Sequence, residues 1–164
     1  MSTNTNKPEY AFFGGKIVPI GEAKVSVMTQ SFNYGTSVFG GMRAYWNDDE
    51  HQLFIFRAAD HFERFRQSAG LIRINVPYSE RELTDILIEL LRIEDYHENV
   101  YIRPLAYKAG ETTGVQLNEV ADGLTIFAQP GSGYVKDVKG LKVGFSAWRR
   151  VEDNAIPARG KISG

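Results

Sequence analysis

The sequence predicts an α+β fold, an antiparallel sheet with two helices on it, and three observations carry that prediction. Short β-branched and aromatic runs separated by turn residues open the chain; two amphipathic helical stretches follow one another from Ala58 and from near Glu80; two more strand-like runs, Asn99–Tyr107 and Leu124–Gln129, come after them. With 164 residues, 43% of them hydrophobic, the chain can build one adequate core.

Residues 1–8 read as a disordered tip. Tyr10–Phe13 and Lys16–Ile20 then flank Gly14-Gly15, a pair able to take the positive φ angles of a tight hairpin. Val25–Met28, Ser37–Trp46 and Gln52–Phe56 read as further antiparallel strands, and the acidic Asn47-Asp48-Asp49-Glu50 as a solvated turn. From Ala58 the period changes: Phe62, Phe65, Ala69 and Ile72 recur at helical spacing, which predicts an amphipathic helix of about four turns. Ser79-x-x-Glu82 is a capping box ahead of Leu83, Ile86, Leu87, Leu90 and Leu91, so a second helix starts near Glu80. Gly110–Gly123 is a loop between the last two strands. Pro130-Gly131-Ser132-Gly133 interrupts the pattern, making 131–140 a linker between an α+β domain over 1–130 and the start of a second unit over 141–164. Leu141–Trp148 reads as the first strand of that unit, and Arg149–Gly164 as irregular.

Charge and composition narrow the function classes. Nineteen Lys+Arg against 20 Asp+Glu leave a formal charge of -1, which argues against a nucleic-acid backbone or a membrane as partner. The absence of cysteine excludes a disulfide framework and thiolate chemistry. No apolar run approaches the ~20 residues of a membrane span, and the polar start lacks the apolar stretch of a signal peptide, so a cytoplasmic location is expected. His51, His61 and His97 have no metal-ligand spacing, and no metal site is expected. G-x-S-x-G, the phosphate loop and a dinucleotide fingerprint are all missing.

Two segments point to chemistry. In Phe32–Arg43, Gly40 and Gly41 interrupt a strand-like run, which fits either close approach of another group to the backbone or a β-bulge. In Tyr101-Ile102-Arg103-Pro104, strand alternation puts a phenol and a guanidinium on one face, an arrangement suited to a carboxylate; the alternative is an edge-strand arginine in solvent.

Four motifs in order, Tyr34-Gly35-Thr36-Ser37-Val38-Phe39-x-Gly41-x-Arg43, Phe56-Arg57 with His61-x-x-Arg64, Tyr101-Ile102-Arg103-Pro104, and Asn154-x-Ile156-Pro157-x-x-x-Lys161 preceded by Ser146-x-Trp148, resemble the branched-chain amino acid aminotransferases. These are class IV aminotransferases, pyridoxal-phosphate enzymes of fold type IV, and the likeness runs from about Tyr10 to the last residue. The related D-amino acid aminotransferases and aminodeoxychorismate lyases share the early glycine–phenylalanine pattern; Thr36-Ser37, Arg43 and the motif at 101–104 favour the branched-chain group.

The resemblance implies a transaminase that moves the amino group between leucine, isoleucine or valine and 2-oxoglutarate through pyridoxal 5'-phosphate, assembled as a homodimer or higher homo-oligomer. It implies that Lys161 is the catalytic lysine, bonded to the cofactor and then moving the proton, a role that demands an amine able to lose its own proton. Arg64 would bind the cofactor phosphate. Tyr34, Phe39, Gly41 and Tyr134 would shape the substrate chamber, Arg43 would be a further substrate-binding residue, and Tyr101 and Arg103 would lie near the substrate carboxylates. The resemblance places 1–130 as the small N-terminal domain and 141–164 as the beginning of the cofactor-binding large domain. A chain stopping at Gly164 then reads as an N-terminal fragment, inactive alone, or as a non-catalytic small domain. Departures fall near the pocket: Gly40 replaces the usual acidic residue, Gly131 stands where relatives often carry Trp, and Arg159 brings a charge two residues from Lys161.

Overall fold

Strand alternation and two apolar helix stripes generate the architecture of the computed structural model, which describes residues 7–131, 140, 142–149 and 151–163. The elements follow as β1 (Tyr10–Phe13), β2 (Lys16–Pro19), α1 (Gln30–Tyr34), β3 (Ser37–Phe39), β4 (Met42–Asn47), β5 (Gln52–Ile55), α2 (Ala58–Leu71), α3 (Glu80–Glu94), β6 (Val100–Lys108) and β7 (Asp122–Pro130). The strands form one antiparallel sheet in the order β2-β1-β7-β6-β4-β5, with β3 also paired to β6. The predicted α+β class is the observed one.

The opening hairpin turns at Gly14 and Gly15, both at positive φ. α3 starts as the capping box requires: the Ser79 hydroxyl accepts from the Glu82 N–H, and the Glu82 carboxylate accepts from the Ser79 N–H at 2.7 Å. Phe62, Phe65 and Ala69 of α2 and Leu83, Leu87 and Leu90 of α3 are fully buried against one sheet face, which contributes Val38, Met42, Ala44, Ile102, Ala106, Ile126 and Ala128.

Four sequence expectations are corrected. Val25–Met28 forms no strand; Val25, Val27 and Met28 are exposed, because the chain there is diverted to seat Gln30, whose buried amide donates to Gly114 O at 3.2 Å and Gln116 O at 2.7 Å. A third, five-residue helix, α1, follows, closed by left-handed Gly35, whose N–H donates to Ser31 O. The single run Ser37–Trp46 is two strands, β3 and β4, broken at Gly40-Gly41. In Leu141–Trp148, the described residues 142–148 make no ladder, and Val143, Phe145 and Trp148 are exposed, since among the described residues no strand lies beside them to pair with.

The break in the third case has a local cause. Pro104 sits in the middle of β6, a central strand, where a residue without an N–H is poorly tolerated. The ladder from β3 ends at Leu105 and that from β4 at Ile102, so Pro104 faces the interruption, and its carbonyl accepts from Gly40 N–H at 2.9 Å.

Candidate active site

Register puts the chemical residues on the sheet face opposite the helices. In β6, Ile102 and Pro104 point into the core, and Tyr101 and Arg103 to the other side. Arg43 is the direct cross-strand partner of Tyr101, and Phe39 that of Leu105, so Arg43, Tyr101, Arg103 and Phe39 share this face. β6 is flanked on both sides, which disposes of the edge-strand reading of Arg103.

Tyr101 and Arg103 touch as the alternation predicted: Arg103 Nε and one terminal nitrogen donate to the phenol oxygen at 3.2 and 3.1 Å. The guanidinium also lies 4.7 Å from the Phe39 ring centroid. Gly41 makes this packing possible, because a Cβ there would come within 2.5 Å of the Tyr101 phenol oxygen. Of the two readings left open for the paired glycines, close approach is therefore the one observed: a Cβ on Gly40 would likewise meet Pro104 Cγ at 2.7 Å.

The lysine segment arrives beside β3. Phe39 N–H donates to Lys161 O at 3.0 Å, Ser163 N–H to Ser37 O at 2.9 Å, and Val38 and Ile162 form an antiparallel bridge. The Lys161 amine then lies 4.8 Å from the centroid of Phe39, so one ring carries two cations, Arg103 and Lys161. Lys161, Phe39 and Arg64 line one cleft of 530 Å³, closed by Val151 and the turn Ile156–Gly160.

Arg64 points into this cleft because its neighbours leave it available. Asp60, one turn earlier, is ion-paired with Arg57 instead. Among the described residues Arg64 has no carboxylate partner; its nearest polar neighbour is His61, whose Nδ1 is 3.4 Å from the guanidinium. Burial first, and the Arg64 charge second, lower the His61 imidazole from the ordinary histidine value, which disfavours a second positive charge beside the guanidinium. The i, i+3 spacing of His61 and Arg64 puts both side chains on one face of α2, as the quoted His61-x-x-Arg64 pattern allows. Arg159 is ion-paired with Asp153, which offsets the charge it brings near Lys161.

Of the expected residues, Phe39, Arg64 and Lys161 line the cleft, Gly41, Arg43, Tyr101 and Arg103 stand on the sheet face next to it, and Tyr34 and Tyr134 are not brought to either. Tyr34 does not line the cleft: it is half exposed and its hydroxyl donates to Thr113 O at 2.5 Å, tying α1 to the 110–121 loop. Tyr134 lies outside the described residues, as does most of the expected 131–140 linker. Among the described residues no group of three or more histidine and carboxylate side chains could hold a metal ion, and no helix is long and apolar enough to cross a membrane.

Comparison with known proteins bears on this geometry directly. The family of class IV amino-transferases matches residues 37–163, from β3 through the lysine segment. This chain belongs to that family. A probable branched-chain-amino-acid aminotransferase of Aquifex aeolicus is 43% identical over 156 residues, covering 95% of this chain and 50% of that protein. Among solved structures, the branched-chain aminotransferase of the archaeon Thermoproteus uzoniensis with norvaline superposes with a TM-score of 0.89 at 36% identity, over 96% of this chain and 52% of that one. The branched-chain amino acid aminotransferase of Thermobaculum terrenum in its PLP form gives 0.85 at 32% identity, over 97% and 52% respectively. This class IV aminotransferase chain thus spans about half the length of the relatives it matches.

Proposed function

We propose that this chain supplies the lysine and phosphate-binding side of a pyridoxal-phosphate-dependent transaminase that exchanges amino groups between leucine, isoleucine or valine and 2-oxoglutarate. One observation carries the reading: two cations without carboxylate partners among the described residues, Arg64 and Lys161, open into the same cleft in a chain related to branched-chain aminotransferases. That donor set fits the cofactor. A guanidinium offers paired charge-assisted bonds to a phosphate dianion, and a primary amine is the group that bonds to an aldehyde carbon. When bound, pyridoxal phosphate supplies the electron sink for bond breaking at the substrate α-carbon.

Each residue of the chain then has a task. Arg64 would hold the phosphate, and His61 stands beside the guanidinium with its protonation disfavoured by burial and by that charge. Lys161 Nζ would hold the aldehyde end of the cofactor, and the same amine would serve as the base that moves the proton at the substrate α-carbon. Phe39 gives the substrate side chain an apolar wall, and Gly41 lets the Tyr101 phenol pack close beside it. Arg103, steadied by the Tyr101 phenol and the Phe39 ring, meets the distal carboxylate of glutamate, with Arg43 across the ladder on the same face. A cation at the edge of an aromatic wall lets one chamber accept both an isopropyl-like side chain and a carboxylate.

Residues 131–140 serve as a linker, with 141–164 opening the cofactor-binding large domain. The exposed Val27, Phe32, Phe145 and Trp148 suit burial against that domain or a second copy in a homo-oligomer. The test is to assay the full gene product with valine and 2-oxoglutarate, following glutamate. Activity with D-amino acids or aminodeoxychorismate in place of valine would overturn the substrate assignment.

A further inference from the structure

Ser68 and Gly160 belong to no motif singled out by the sequence, yet both touch the lysine segment. Ser68 lies on α2 one turn after Arg64, and Leu71 almost one turn further, so Arg64, Ser68 and Leu71 form one stripe at i, i+4 and i+7. Ser68 is buried, and its hydroxyl donates to Arg64 O at 3.0 Å, which turns the oxygen's lone pairs towards the Lys161 N–H, 3.4 Å away. Next to it, Gly160 lies on Leu71: a Cβ on Gly160 would stand 2.9 Å from Leu71 Cδ1 and 3.4 Å from Pro157 O. Consecutive residues of the lysine segment therefore rest on consecutive positions of the helix stripe that begins with Arg64. The other backbone group of Lys161, its carbonyl, is held by Phe39 N–H of β3.

We infer that Ser68 and Gly160 are positioning residues that latch the lysine segment onto α2 and set the spacing between the Lys161 amine and the Arg64 guanidinium. This rests on the reading that those two groups hold the two ends of a phosphorylated aldehyde. A helix is a stiff ruler, and both ends of the spacing are measured along α2. Loosening the contact leaves an amine that still reacts with aldehydes, but no longer at the distance at which Arg64 holds a phosphate.

The test compares two aldehydes on the full gene product. Pyridoxal phosphate and pyridoxal, which lacks the phosphate, are trapped on Lys161 with borohydride, and the rate ratio is read by mass spectrometry of the Lys161 peptide. General loosening slows both aldehydes alike and leaves the ratio unmoved; lost spacing lowers the ratio itself. Ser68→Ala is expected to lower the ratio about fivefold, the size of one hydrogen bond. Gly160→Ala is expected to lower it by less, because the added Cβ meets the movable end of the Leu71 side chain, with Leu71→Ala in the Gly160→Ala background restoring it by vacating the space. An unchanged ratio in Ser68→Ala, or Gly160→Ala unrelieved by Leu71→Ala, overturns the latch. Arg64→Ala separates the two levels: if it leaves the ratio intact, the phosphate assignment falls and the latch with it; if it collapses the ratio while Ser68→Ala does not, only the latch falls.

Discussion

β6 and β7 are joined along nine consecutive residue pairs, whereas the lysine segment reaches the same sheet through a single bridge and two flanking hydrogen bonds. The first region is a ladder whose inner face is fully buried; in the second, most side chains from Val151 to Ser163 are exposed. The contrast separates stability from chemistry. The sheet and its two helices fix Arg64, Phe39, Tyr101 and Arg103 without help from the segment, and the segment brings the one amine that the proposed reaction cannot replace. A region with so few buried contacts opens locally at far lower cost than the ladder it leans on.

The largest expected effect breaks the two regions apart. Lys161→Ala removes all borohydride-trapped cofactor, with the thermal unfolding midpoint of the cofactor-free protein unchanged, because Lys161 is exposed and its amine rests on the face of the Phe39 ring. A drop of more than about 4 °C, the upper end of the shift expected from ~1 kcal/mol in a chain of this length, would show that the segment supports the body after all. Next in size, Phe62→Ala deletes a fully buried ring between α2 and the sheet and is expected to cost ~3–5 kcal/mol in urea unfolding. Since α2 also carries Arg64 and Ser68, trapping at Lys161 should fail in step with unfolding, not before it.

The ladder was legible in the sequence for the same reason that it is stable. The alternation in Tyr101–Pro104, the stripe of Phe62, Phe65 and Ala69 and the capping box at Ser79 are local patterns that burial enforces, and the structure follows each. Val25–Met28 and 142–148 looked equally strand-like, but a strand exists only beside a partner, and their own residues carry no information about one. Within the site, alternation foretold the Tyr101–Arg103 contact, and the paired glycines signalled close approach without naming Tyr101 and Pro104 as the groups that approach. Ser68 and Gly160 stayed hidden because their partners are decided by which turn of α2 the distant lysine segment meets.

A third substitution asks whether the sheet face discriminates substrates independently of the segment. Arg103→Leu keeps an apolar wall and deletes the cation, so in the full gene product KM for 2-oxoglutarate should rise at least ~10-fold, from the ~1.5–3 kcal/mol of a charge-assisted hydrogen bond. The KM for leucine should stay within about twofold, since its side chain carries no charge for Arg103 to meet. Equal rises for both substrates would mean that Arg103 supports Phe39 and Tyr101 and does not read the carboxylate.

The smallest effect lies farthest from the lysine and probes the body alone. Ser79→Ala removes the hydroxyl that caps α3 and should cost ~1 kcal/mol. It should also change the response to acid. The Ser79 backbone N–H and then its hydroxyl hold the Glu82 carboxyl below the usual carboxylate range, and Glu80 is lowered by its own backbone N–H and then by Arg66. A carboxyl lowered in the folded state contributes stability above its unfolded value of 4.5, and that contribution is lost as pH falls through the folded value. His61, lowered from 6.5, works in the same direction, but its contribution starts to fall near pH 6.5 and not near 4.5. Unfolding midpoints measured from about pH 7 to about pH 3 should therefore fall in two stages. Ser79→Ala should shrink the stage below 4.5 while leaving the stage near 6.5, beside Arg64, untouched. If the upper stage shrank with it, the cap of α3 and the phosphate-binding end of α2 would be coupled, and the division between the stable body and the chemical edge would have to be redrawn inside the body itself.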